Sequence, residues 1–335
     1  MAKLLSAPVT CPRQPEGGFT LIEMMISITI GLGILAGLVG VLATNSSNSR
    51  SNDRTSELMT NGRYALNSMR QELRQAGFRG YTWAEPTVPG ALGLVAADNE
   101  CVGAGSGAFV ANIRQGVWGS NDDGAPFSGT CIPAASYAAN TDILVVRRLA
   151  PVPTPDVSLA ANTVYFRTTY ERGLVFRATA APVVAPAFTG APTPLASFAV
   201  QVYVYYVSPF TVSAAEVPLV PALFRVALLP DGRMARELVA SGVERMQVQY
   251  GLQSTSPALP FQYVNANAVA GTSVDAGSTA WDTVNSVRIW LLVRNSTPEP
   301  GYVNTNPYVM GDQNFVATGD GFRRQLFSSV VQLRN

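Results

Sequence analysis

The chain contains no histidine, and its single lysine is Lys3. The first absence removes the side chain that most often serves as general base and transition-metal ligand. The second leaves no lysine beyond the third residue for Schiff-base chemistry or a phosphate-binding loop. Charge is scarce as well: 13% of residues are Asp, Glu, Lys or Arg, the net charge is +1, and 47% are hydrophobic. With no basic excess, a nucleic-acid partner is not expected, because phosphate neutralisation supplies most of such binding. The composition is too apolar for a disordered chain. The length, 335 residues, suits one large domain or two small ones. A carboxylate-only mechanism is the enzyme class left open. It needs two acidic residues converging in a cleft, and the sequence singles out no such pair. No cofactor is expected.

One long apolar run is present, Phe19 to Ala43. It is long enough to cross a bilayer as a helix, which takes about 20 residues. Its one charge is Glu23, and an acidic residue inside a membrane-length segment is costly enough to mark function by default. A polar leader, residues 1–18 with Lys3 and Arg13, precedes the run. A secretory signal peptide would carry its charge at the extreme N-terminus and its cleavage site after a shorter apolar stretch. Here the second half of the leader is polar and the acidic residue lies within the run. Gly33 and Gly37, flanked by Gly31 and Gly40, share one helix face. They permit close helix packing in lipid, or they weaken the helix locally by up to about 1 kcal/mol each relative to Ala. Both readings stay open.

From Asn45 the chain turns polar. Leu58, Ala65, Leu66, Met69, Leu73 and Ala76 recur at helical spacing, with Arg50, Arg54, Arg63, Arg70 and Arg74 between them. One helix is therefore expected over residues 19–80, membrane-spanning in 19–43 and amphipathic in 44–80, with Gly77 as its stop. Residues 81–335 read as a β-rich head. Strand signals cover Asp142–Leu149, Thr163–Thr168, Phe198–Val207 and Ala222–Leu229. The last is joined through Pro230-Asp231-Gly232 to Met234–Ala240 as a hairpin, and Val243–Tyr250, Val284–Val293 and Phe322–Leu333 follow. Residues 85–140, 254–280 and 296–318 read as long loops. Antiparallel sheet with one face on the helix is the economical arrangement.

Gly17-Gly18-Phe19-Thr20-Leu21-Ile22-Glu23 closely resembles the type IV prepilin signal, in which a peptidase cuts after the Gly and methylates the new N-terminal Phe. Further resemblance lies in Asn61-Gly62-Arg63-Tyr64-Ala65-Leu66 and Leu73-Arg74-Gln75-Ala76-Gly77-Phe78-Arg79-Gly80. It continues in Gly242 to Gly251, Val287 to Arg294, and Arg323 to Asn335. These segments are similar to the minor pilins called PilW. The resemblance spans residues 17–80 and 238–335. It implies an α+β, type IV pilin-like fold with a long N-terminal membrane-spanning helix packed on an antiparallel head.

The resemblance also implies cleavage between Gly18 and Phe19, and an assembly role for Glu23, which would face the N-terminal amine of a neighbouring subunit's Phe19. The implied partners are the prepilin peptidase, other minor pilins, the major pilin and a large tip adhesin. The implied location is the inner membrane with the head in the periplasm, and then the extracellular pilus. The implied function is a minor pilin that primes the fibre or joins its tip. A type II secretion pseudopilin shares the signal and is the alternative.

Loss of the leader would remove Cys11 and leave Cys101 and Cys131. An even pair in an oxidising compartment reads as a disulfide; two buried thiols are the other reading. Many relatives carry a cysteine after the glycine at the helix end, where this chain has Tyr81, so Cys101–Cys131 would be a different staple. Weaker signals remain. Asn121-Asp122-Asp123 and the stretch Asp312 to Asp320 gather carboxylates without the spacing of a calcium loop, and solvated surface is the expected reading. Gly103-Ala104-Gly105-Ser106-Gly107 lacks the flanking strand and helix of a dinucleotide site. Tyr203, Tyr205 and Tyr206 are expected to pack within a sheet rather than to form a binding patch.

Overall fold

The computed structural model describes residues 17–82, 101, 107–177, 179–184, 195–252, 262–274 and 278–333. Most of the leader, with Cys11, lies outside them, as do Gly103 to Ser106 and the final Arg334-Asn335. Helix α1 spans Leu21–Arg74 and runs without interruption across Gly31, Gly33, Gly37 and Gly40. The chain divides into two compact units, Met1–Asp53 and Arg54–Asn335. In the first unit the apolar side chains from Leu21 to Leu42 are exposed. Its best window has a mean hydropathy of 2.3, long and apolar enough to cross a membrane.

In the second unit α1 presents the expected stripe. Leu58, Ala65, Leu66, Met69, Leu73 and Ala76 are all buried in the main core. Each large side chain in that stripe contributes about 1.5–3 kcal/mol by leaving water. The helix ends at Arg74, three residues before the glycine that the sequence marks as its stop. Gln75 and Ala76 tighten the last turn by donating to the carbonyls of Glu72 and Leu73. Gly77, at φ 76°, then turns its N–H to the Arg147 carbonyl. Tyr81, where relatives would place a cysteine, packs edge-on against Phe198 at 5.7 Å and Tyr170 at 6.5 Å. Phe78 meets the same Phe198 ring at 6.1 Å. Aromatic packing thus holds the helix end.

The head is antiparallel throughout. A seven-stranded sheet contains β1 (Val117–Ser120), β2 (Ile143–Leu149), β3 (Tyr165–Thr168), β4 (Gly173–Phe176), β5 (Ala196–Ser208), β6 (Ala222–Leu228) and β7 (Met234–Ser241). The order runs β1-β2-β5-β3-β4, and β6 joins β5 to β7. The thirteen-residue β5 is the organising strand: residues 200–205 pair with β2, 196–199 with β3 and 203–208 with β6. Tyr205 and Tyr206 are fully buried there, and the Tyr206 hydroxyl accepts from Arg236 Nε at 2.6 Å. The Arg225 guanidinium covers the Tyr203 ring at 4.5 Å. Sheet packing is therefore the role of all three tyrosines.

A second sheet of four strands has the order β13-β10-β8-β9, with β8 (Val243–Leu252), β9 (Gln262–Val264), β10 (Val284–Arg294) and β13 (Arg324–Gln332). The chain passes from β7 in one sheet to β8 in the other through Gly242 alone. Gly242 has φ 84°, its N–H donates to Pro221 O, and a Cβ there would lie 2.7 Å from Arg294 O. Both the left-handed backbone and the close approach call for glycine at this corner.

The long loops of the sequence reading contain short elements. Residues 85–140 hold helix α2 (Ala108–Ala111) and β1, while β9 lies within 254–280. Residues 296–318 fold as a hairpin, β11 (Pro307–Met310) against β12 (Gln313–Val316). These runs, and β4, are three or four residues long, too short for a period to emerge against their polar surroundings.

Candidate functional site

Gly17, Gly18, Phe19 and Thr20 precede α1 outside the helix, and Phe19 is exposed. The backbone at the expected cleavage point is therefore not tied into a helical hydrogen-bond ladder. Glu23 stands in the first turn of α1. Its Oε2 accepts from the Thr20 backbone N–H at 2.9 Å and from the Thr20 hydroxyl at 2.9 Å. The Glu23 N–H donates back to Thr20 Oγ1 at 3.3 Å. This is a capping box: Thr20 as N-cap and Glu23 three residues on satisfy helix N–H groups reciprocally. The sequence carries the signal in plain form, Thr-x-x-Glu before an apolar run, alongside the more conspicuous signal of a charge in that run. Glu23 is thus placed to begin the helix as well as to carry the segment's one charge.

Cys101 and Cys131 are joined as a disulfide. Cys101 is fully buried, and Thr130 Oγ1 donates to its carbonyl at 2.6 Å. The bridge closes the part of the chain that holds α2 and β1. From there Phe109, Phe127 and Trp118 form an edge-on series with centroid spacings of 5.6 and 5.7 Å. Trp118 meets Trp281 at 5.7 Å, and Trp281 meets Tyr250 of β8 at 4.8 Å. The staple therefore secures a loop-rich region to the four-stranded sheet through aromatic contacts.

The acidic segments keep solvated carboxylates, with Asp123 and Asp312 exposed and Asp122 and Asp320 half-buried, and several of them also accept hydrogen bonds. Asp122 accepts from Gln247 at 2.8 Å and Gln313 at 2.6 Å, and Asp312 accepts from Asn265 at 2.7 Å and Asn121 at 3.3 Å. Asp320 pairs with Arg324 at 2.6 Å. Gln247 of β8 and Gln313 of β12 tie Asp122 to those two strands, Asn265 and Asn121 hold Asp312, and the Asp320–Arg324 pair is local, four residues apart. Asp142, beside them, is almost fully buried. It accepts from the N–H of Val248 at 2.7 Å and of Asp122 at 3.1 Å. Burial pushes its carboxyl up to about 8, the Val248 N–H opposes the rise, and the charges of Asp122 and Asp312 add to it. Both its oxygens and those of Asp122 are occupied by donors. Among the described residues, no group of three or more His, Cys, Asp or Glu is arranged to hold a metal ion.

A cavity of about 510 Å³ lies nearby, walled by Trp118, Trp281, Val269 and Val274, with Asp123 at its rim. Neither Asp142 nor Asp122 lines it. Its walls come from segments far apart in the chain, so no local pattern announces it.

Residues 204–335 match the family model described as type IV pilus-assembly protein W. Residues 13–39 match that of the prokaryotic N-terminal methylation motif. The first match takes in the last five residues of β5 and everything after it. The second brackets Gly18, Phe19, Glu23 and the capping box. Neither a curated protein nor a solved structure matches the chain.

Proposed function

Because residues 204–335 match the model of type IV pilus-assembly protein W and residues 13–39 that of the N-terminal methylation motif, we propose that the chain is a PilW-like minor pilin, priming fibre assembly or taking a place in the tip complex. The single observation that carries this reading is the joining of the two matches in one chain: a processing segment ahead of an apolar helix, and a PilW-type head. The motif implies a prepilin peptidase that cuts after Gly18 and methylates Phe19, and assembly with other pilins. The proposal adds that these partners are the major pilin, further minor pilins and a large tip adhesin. It also places the protein first in the inner membrane with its head in the periplasm, and then on the extracellular fibre.

No enzymatic role is proposed. Asp142 is the one described carboxyl raised strongly by burial, and its oxygens already accept two backbone N–H groups. A pseudopilin of type II secretion would share the N-terminal segment. The PilW match over residues 204–335 favours the pilus.

The test is made in cells that produce type IV pili and lack their own copy of this gene. N-terminal sequencing of the membrane-extracted protein should begin at methylated Phe19, and pilus number should return with the native chain. A mature protein beginning at Met1, or pili restored equally by a chain truncated before the head, would overturn the reading.

A further inference from the structure

The last strand leaves an edge of the four-stranded sheet open. β13 pairs with β10 in the register Ser286↔Gln332 through Arg294↔Arg324, and no other described strand pairs with it. The Leu333 N–H donates to Asn285 O at 2.8 Å, and Asn295 N–H donates to Arg323 O at 3.2 Å. Odd-numbered residues therefore turn their backbone groups toward β10. Leu326, Ser328, Val330 and Gln332 turn theirs outward. The N-terminal end of the strand is closed by Arg324, which is bound to Glu244 at 2.6 Å and Asp320 at 2.6 Å. The remainder, Leu326-Phe327-Ser328-Ser329-Val330-Val331-Gln332, contains no charge, proline or glycine. Folded proteins usually guard such an edge with lysine, proline or a bulge. Here none is present, and Val330 is 52% exposed.

A cavity of about 420 Å³ runs along the same edge, lined by Val330 to Leu333 and by Arg70 and Arg74 of α1. On the other face Arg288 and Trp290 form a second hollow with Ser328 and Val330, about 350 Å³. Phe327, Val331 and Leu333 face the helix side, since Phe327 meets Gly62 and the other two are buried. A strand added beside β13 would lay alternate side chains over Arg70 and Arg74. No ion pair among the described residues engages either arginine.

We infer that the free edge of β13 is a strand-acceptor site for an extended segment of another polypeptide, one that carries carboxylates on the face turned to Arg70 and Arg74. Backbone hydrogen bonds would supply affinity, and the two arginines would choose among segments. A second copy of this chain fits poorly. Its own β13 edge, paired antiparallel, offers Phe327, Ser329 and Val331 to the arginines and no carboxylate. The inference rests on β13 and the last turns of α1 and stands apart from the pilus reading.

The test uses the full-length protein in detergent micelles and a short synthetic peptide of alternating Thr and Val with two Asp on one face. Amide hydrogen exchange should slow at Leu326, Ser328, Val330 and Gln332. Affinity should exceed that for the Asn-substituted peptide about tenfold, as two partly exposed ion pairs allow. Val330→Pro removes an outward N–H that β10 does not use, so the fold should survive and the slowing should vanish. If that variant loses its melting transition, Arg70→Ala with Arg74→Ala carries the test, by abolishing the preference for Asp. No slowing at these amides, equal slowing in a folded Val330→Pro, or equal affinity for both peptides would overturn the inference. So would self-association of the free protein that Val330→Pro removes, which would give the edge to a second copy.

Discussion

A Cβ placed on Gly62 of α1 would lie 2.2 Å from Cε2 of Phe327 on β13. The helix and the last strand are packed so closely at this point that one methyl group has no room, and the whole edge of the ring is within 2.7 Å of the same position.

Gly62→Ala tests that contact. Alanine gains about 1 kcal/mol of helix propensity, while overpacking costs about 1–3 kcal/mol. Phe327 is only half-buried and can turn away in part. The expected net result is a loss of about 1 kcal/mol in chemical denaturation. Phe327→Ala introduced on that background should cost less than it does in the native protein. A rise in stability on Gly62→Ala would show that the ring gives way freely.

Glu23 has two assignable roles, and two substitutions separate them. Glu23→Leu removes both the charge and the cap. Glu23→Gln removes the charge but keeps a side chain that closes a capping box. Leader cleavage and membrane insertion should persist in both variants. If the charge sets register against a neighbouring subunit's Phe19 amine, both should fail to enter pili. Incorporation of Glu23→Gln at the native level would assign Glu23 to helix initiation instead.

The Cys101–Cys131 bridge joins residues 30 apart in sequence, and chain entropy assigns a loop of that size roughly 3.6 kcal/mol. Replacing both cysteines with serine should lower the stability of the head by an amount of that order. Mass spectrometry of the alkylated native protein should find neither thiol free. Quantitative alkylation of both in the folded state would refute the pairing.

Asp142 predicts a pH dependence. Its folded-state pKa, about 8, lies above the reference value of 3.8. Unfolding between these values therefore releases a proton. The folded state is favoured most below the unfolded value, and that advantage is lost as pH rises through the folded one. Melting temperature should fall from about pH 4 to pH 8, and Asp142→Asn should flatten this slope. The amide has one acceptor for two backbone donors, so the variant also loses about 1 kcal/mol at acidic pH. An unchanged slope in Asp142→Asn would place the titration elsewhere.

Much of this architecture is local in origin. The apolar run, the buried stripe from Leu58 to Ala76, the long strands and the Thr20–Glu23 box each follow from residues a few positions apart. Helix and strand periods, capping distances and hydrophobic length act at that range, so the sequence by itself determined them. The α+β character came with them, whereas the pilin-like reading rested on the resemblance of particular motifs, beginning with Gly17 to Glu23.

Tertiary structure decided what depends on chain segments that meet only after folding. The short strands β1, β4, β9, β11 and β12 exist because neighbours complete their hydrogen bonds, not because four residues prefer to be extended. Asp122, half-buried, and Asp312, exposed, gained crosslinks because Gln247 and Gln313 arrive from β8 and β12 and Asn265 from the turn after β9. Tyr81 found Phe198 more than a hundred residues away, and Arg70 and Arg74 came to flank the open edge of β13. Contacts of that separation are chosen by the burial and polar satisfaction of the whole fold, which no local period encodes.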